Sequence, residues 1–236
     1  MPVQRRYVRS EFHVRTAENG HSVIDGHGAV FNKLSQNLGG FVERVLPGAF
    51  RKTIAESDVR ALFNHDSNLI LARSASGTTT DGTLRLAEDA TGLAYDFDVP
   101  DTTAGRDLVV SMGRGDISQS SFSWYDDDVE WSLSPEGFPL RTIIEVRRLG
   151  DVSPVTYPAY LDADSGLARQ AFRSLADDKH LPVEEVEQAA REGRLATVIT
   201  GRAVDSGPGD SHPFDAAARR ARQLALAARK YPPAAG

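Results

Sequence analysis

The chain of 236 residues has no cysteine at all. That excludes disulfides, thiolate metal sites and a cysteine nucleophile together, and it fits a reducing, intracellular compartment. No apolar run approaches the ~20 residues that a membrane span needs. The N-terminal Met1-Pro-Val-Gln-Arg-Arg-Tyr7 carries basic residues with no apolar segment behind them, so no signal peptide is expected there. Lysine and arginine form no block and the formal net charge is −6, which argues against binding nucleic acid through a basic surface. There is no Gly-rich phosphate loop, no His-Glu-x-x-His pair, no Gly-x-Ser-x-Gly elbow and no cluster with metal-ligand spacing. No cofactor and no metal are expected, nor is a membrane partner. Internal repeats are also missing.

What is present is a succession of short alternating segments. Residues 5–31 mix apolar and polar residues, with Asn19-Gly20 and Asp25-Gly26 as turn signals. Phe41–Val45 reads as a strand that stops at Pro47, and Phe50 and Ile54 then share a helical face. Val59–Phe63 reads as a buried strand, and a further strand starts at Leu69. Thr80–Thr83 reads as a hairpin-type turn. Leu93, Tyr95, Phe97 and Val99 alternate with acidic residues in the clearest half-buried strand. Asp101-Thr102-Thr103 caps a helix running through Met112. An acidic, turn-rich loop is expected after Trp124, then a long strand from Leu140 to Val155. The fold class is therefore mostly β, a barrel or sandwich with peripheral helices.

Composition shifts after Tyr160. Helices are expected over 165–177, Val183–Leu195 and Asp215–Lys230, with a Gly/Ser/Pro/Asp linker over 203–213. This tail has little to bury and reads as mobile or partner-dependent.

Within Gly115–Trp124, alternation sends Ile117, Gln119, Ser121 and Ser123 to one face and Phe122 and Trp124 to the other. The aromatics would anchor a rigid strand that presents Ser121, which suits a nucleophile. A serine-rich edge strand without chemistry has the same look. Of the six histidines, His13, His21 and His27 fall in the N-terminal strands, and His180 and His212 in polar parts of the tail. His65 ends an apolar strand between Asn64 and Asp66, whose side chains can fix its tautomer and rotamer. A purely structural role for His65 stays open. Serine with histidine needs a third group to hold the imidazole. Glu145 and Asp151 lie on the odd face of the last long strand, roughly 20 Å apart along it, so at most one can reach His65. Both also read as surface charges paired with Arg147 or Arg148.

Several motifs occur in order: Gly26-His-Gly-Ala-Val-Phe31, Val45-Leu-Pro-Gly-Ala-Phe50, Leu62-Phe-Asn-His-Asp66, Gly92-Leu93 before the alternating strand, Gly115-Asp-Ile with Ser121-Phe122, and Asp151-Val-Ser-Pro-Val-Thr-Tyr-Pro-Ala-Tyr160. On these the chain resembles, over about residues 20–160, the tailed-phage prohead proteases of the HK97 type. The resemblance implies a β-barrel wrapped by helices, related to the herpesvirus assemblins, over residues 1–163, with 164–236 as a helical, partly disordered tail that binds scaffold or is trimmed by self-cleavage. It implies a serine endopeptidase that cuts scaffold or capsid-precursor protein inside the immature capsid, in the host cytoplasm. Ser121 would be the nucleophile and His65 the general base. The family usually has Glu where Asp151 stands, so Asp151 is favoured as third member and Glu145 is the alternative. The family's Ser-Phe-Gly-Phe is here Ser121-Phe-Ser-Trp124, which puts a second hydroxyl, Ser123, on the face of Ser121. Assemblin kinship also raises a homodimer. The competing readings are a catalytically inactive assembly factor of the same fold and an unrelated β-rich hydrolase.

Overall fold

Two long antiparallel strands form the spine of the chain, β9 (Gln119–Leu133) and β10 (Pro139–Val155), joined by a turn at Ser134–Gly137. The computed structural model describes residues 4–8, 13–16, 20–74, 82–156 and 166–202. Asp126, Asp127 and Asp128, expected in a loop, instead continue β9. Their charges are met by basic residues on the facing strand, Asp127 by Arg141 and Asp126 and Asp128 by Arg147, so an acidic run can stay in the ladder.

Strand β10 carries β9 along one edge. Along the other it carries two parallel partners end to end, β4 (Val42–Val45) and β5 (Arg60–Phe63). The hairpin partner of β5 is β6 (Asp66–Arg73), and β1 (Gln4–Val8) lies outside β9, giving a six-stranded sheet. A second, four-stranded sheet has the order β2 (His13–Thr16), β3 (Ser22–Val30), β8 (Gly92–Asp98), β7 (Leu84–Glu88).

Ile24, Leu93 and Phe97 from the smaller sheet and Phe122, Trp124 and Val152 from the larger are fully buried in one common core. The sheets come so close at Gly28 that a Cβ there would stand 3.0 Å from Val152 Cγ1. Among the described residues the expected barrel does not close. Among the described residues the edges of β6 and β7 are joined by the Ser74–Gly82 bridge, by Thr83 N–H bonded to Arg73 C=O, 2.9 Å, and by Arg73 N–H bonded to Thr83 Oγ1, 3.1 Å, so the ladder is not continued around.

Helix α1 (Arg51–Glu56) bridges β4 and β5, and α2 (Thr103–Gly113) is N-capped by Thr102, whose hydroxyl accepts from Gly105 N–H at 3.1 Å. The stretch expected to have little to bury contains α3 (Gly166–Lys179), α4 (Val183–Arg191) and α5 (Leu195–Thr200). Ala168, Ala171, Phe172, Leu175, Val186 and Leu195 all join the core. Small residues on one face let α3 approach closely enough for Phe172 to meet Phe41 edge-on, 5.8 Å between ring centres. The 203–213 linker, the 215–230 helix and the first two residues of the Thr80–Thr83 turn fall outside the described residues.

Candidate active site

Ser121 and Ser123 project from the same face of β9 because Phe122 and Trp124 occupy the core side, stacked at 4.7 Å. Directly opposite on β10 stand Ser153 and Asp151, paired with Ser121 and Ser123 respectively. Above this square of four side chains lies the tip of the β5–β6 hairpin. Its two central residues, Asn64 and His65, have φ of +55° and +57°. That is the backbone of a two-residue primed turn, whose twist matches the flanking strands. A left-handed conformation is unfavourable for histidine, and it delivers the imidazole over the square.

The geometry is a continuous hydrogen-bonded chain. His65 Nε2 lies 2.7 Å from Ser121 Oγ and His65 Nδ1 lies 2.5 Å from Asp151 Oδ1. An ionised carboxylate can only accept, so Nδ1 carries the proton and Nε2 is left to accept from the Ser121 hydroxyl. Burial pushes the Asp151 carboxyl up, but the His65 hydrogen bond and charge, with hydrogen bonds from Ser123 and Ser153, overcome it and hold the carboxyl below its ordinary value. The imidazole is 2% exposed and Ser121 is fully buried.

Asp66 and Asn64 do not fix the imidazole as expected. Asp66 accepts from Asn68, and Asn64 bonds to Thr156 at the end of β10. Glu145 does not enter the site. It lies 3.9 Å from Lys52 on α1 and is over a third exposed. Register shifts between Ile143 and Asp151 break the simple odd-face pattern that had put the two acids together. His27 and His13 pair with Asp89 and Asp25 on the other sheet, and His180 follows α3. His212 is outside the described residues.

Ser153 was not singled out by sequence reasoning. Its only signal was its place two residues after Asp151, on the face that alternation assigns to the site. A cavity of about 490 Å³ ends at Asp151 and is walled by Asp58, Arg60, Leu62, Ile70, Tyr125 and Arg148. Among the described residues no group of three or more His, Asp or Glu is arranged to hold a metal ion, and no helix is long and apolar enough to cross a membrane. A serine hydroxyl, an imidazole whose Nε2 accepts from it and a buried carboxylate in series are the parts needed for acyl transfer by a serine nucleophile.

The sequence matches the family described as caudovirus prohead serine protease over residues 10–177. No curated protein matches it. Among solved structures it is similar to the capsid assembly protease of bacteriophage T4, at 12% identity and a TM-score of 0.35, over 64% of this chain and 98% of that one. With well over half of its length matched, the chain belongs to the caudovirus prohead serine protease family.

Proposed function

We propose that the chain is a serine endopeptidase that cuts capsid-precursor or scaffold protein inside the assembling prohead, in the host cytoplasm, and that it also cuts itself. Ser121 is the nucleophile, His65 the general base and Asp151 the group that orients and balances the imidazole. The hydrogen-bonded chain from Ser121 through His65 to Asp151 carries this reading. His65 Nε2 takes the hydroxyl proton as Ser121 Oγ bonds to the scissile carbonyl carbon. Backbone N–H groups stabilise the oxyanion. The C–N bond then breaks, the amine leaves with the proton from His65, and water hydrolyses the acyl-enzyme by the same route.

The test is labelling with a fluorophosphonate, followed by peptide mass analysis. Wild type should carry the phosphonyl group on Ser121 and Ser121→Ala should carry none. Co-expressed with its capsid precursor, Ser121→Ala should leave the precursor whole, and normal processing in that variant would overturn the assignment.

One observation favours a second reading, a non-catalytic assembly factor. Ser121 and the His65 ring have almost no exposed surface, so a polypeptide must open the site to reach them. Absence of labelling in a folded wild type, both free and within proheads, selects that reading.

A further inference from the structure

Asp151 is held by more than the imidazole. Ser153 Oγ donates to Oδ1 at 2.7 Å, the oxygen that also faces His65, and Ser123 Oγ donates to Oδ2. Both hydroxyls are buried, so these bonds form without competition from water at their own surface. Space for one of them is left by the residue that precedes Asp151 on β10, Gly150. A Cβ at Gly150 would stand 2.8 Å from Ser123 Oγ and 2.9 Å from Tyr125 Cε2.

We propose that Ser123 and Ser153 are positioning residues that act on the reaction through Asp151, fixing the plane of its carboxylate and sharing its charge. The proposal rests on the reading of Ser121, His65 and Asp151 as the catalytic chain. The terminal torsion of an aspartate is broad and soft, so one hydrogen bond to an imidazole does not hold the carboxylate plane. Ser123 anchors the far oxygen and Ser153 the near one, which leaves Oδ1 aimed at His65 Nδ1–H. Donors to a carboxylate also lower its basicity. If one is removed, more negative charge faces the imidazole and the carboxylate plane is free to turn, so both the rate and its dependence on pH change. A protonated His65 cannot accept the Ser121 proton.

The size of Asp151 is matched to Ser123 by the same argument. The two are direct cross-strand partners, and one more methylene at position 151 would drive the carboxylate into the Ser123 hydroxyl.

The experiment measures the second-order rate of Ser121 phosphonylation by a fluorophosphonate from about pH 5 to about pH 8. In that step the Oγ–P bond forms, the P–F bond breaks, fluoride leaves, and the proton passes to His65 and then to water. Ser123→Ala and Ser153→Ala should each lower the plateau about tenfold and move the acid limb upward by about half a pH unit. In an Asp151→Asn background the same substitutions should change nothing further. Asp151→Glu alone should be slow, and Asp151→Glu with Ser123→Gly should recover most of the loss. A lowered plateau with an unmoved acid limb, or losses that persist in the Asp151→Asn background, would mean that the serines act as packing and would overturn the proposal. Should Ser123→Ala not fold, Ser153→Ala reads the same limb. Failure to label the wild type at any pH, both free and within proheads, overturns the catalytic chain itself, and the positioning roles fall with it.

Discussion

Asn64 and Thr156 exchange two hydrogen bonds, Thr156 N–H to Asn64 Oδ1 at 2.8 Å and Asn64 Nδ2–H to Thr156 Oγ1 at 3.1 Å. Asn64 N–H is also bonded to Pro154 C=O at 3.0 Å. The turn that carries His65 is thereby tied to the end of the strand that carries Asp151, which is a way to keep a hairpin tip in register with a group on another strand. Asn64→Gly keeps the left-handed backbone but loses the amide, whereas Asn64→Ala loses both. We expect Asn64→Gly to slow Ser121 phosphonylation several-fold with little change in stability. Asn64→Ala should cost about 1–2 kcal/mol more, the penalty of a left-handed non-glycine residue without compensation. Urea titrations beside labelling rates separate the two effects, and a wild-type rate in Asn64→Gly would show that the tie does not position His65.

The depressed carboxyl of Asp151 predicts an acid-sensitive contribution to stability. In the unfolded chain the group titrates near its ordinary value of about 4; in the fold it titrates lower, because the His65 hydrogen bond and charge and the two serine hydroxyls outweigh burial. Its contribution is fully present above about pH 4 and is lost as pH falls through that value toward the folded one. The unfolding free energy of wild type minus that of Asp151→Asn should therefore shrink from about pH 5 to about pH 3. A flat difference across that window would mean that the carboxyl is not held down. In activity, Asp151→Asn should fall by a factor on the order of 10⁴, as expected when the group fixing the imidazole tautomer is neutralised.

Arg141 is tied to the strand that carries Ser121 through Asp127. Its guanidinium is wholly buried between Glu43 and Asp127, which lies 2.7 Å from its Nη2, and the Trp124 indole N–H donates to the same Asp127 carboxylate at 2.7 Å. Arg141→Met leaves two buried carboxylates without their cation and should cost about 3–5 kcal/mol by chemical denaturation. Glu43→Gln should cost less, since the amide oxygen still accepts. A loss under about 1 kcal/mol for Arg141→Met would show that water reaches this cluster and compensates it.

The residues that the fold gathers into the site were legible because they sit where periodicity is strongest. Phe122 and Trp124 mark the core side of β9, and Ser121 follows as their opposite. His65 ends an apolar strand. Periodicity left Asp151 and Glu145 open, and only motif position favoured Asp151, because the irregularities of β10 depend on its register with β9 and not on any local pattern. The continuation of β9 through Asp126–Asp128 was hidden for a similar reason, since its counter-charges Arg141 and Arg147 lie on another strand. Ser123 and Asp151 looked like two separate departures from a family pattern. Only the pairing of β9 with β10 makes them neighbours. The closed barrel is not formed among the described residues because the contact between the β6 and β7 edges stays an isolated bridge and does not grow into a ladder.

Burial of the C-terminal helices bears on where the proposed self-cleavage could leave a folded protein. Ala168, Phe172, Leu175, Val186, Leu195 and Ile199 belong to the same core as Phe41 and Trp131, and Trp131 Nε1–H donates to Ser174 Oγ at 3.1 Å. Removing the chain after residue 163 exposes the apolar surface that these side chains cover. Phe172→Ala alone should cost about 3–5 kcal/mol. A chain ending at 163 should therefore be unfolded or aggregated by circular dichroism and size-exclusion chromatography, while one ending at 202 keeps all of these side chains and should fold and react at Ser121. Mass analysis of purified wild type against Ser121→Ala should accordingly find any trimmed C-terminus after residue 202. A stable, active product ending near 163 would mean that the three helices cover the core without being needed for it.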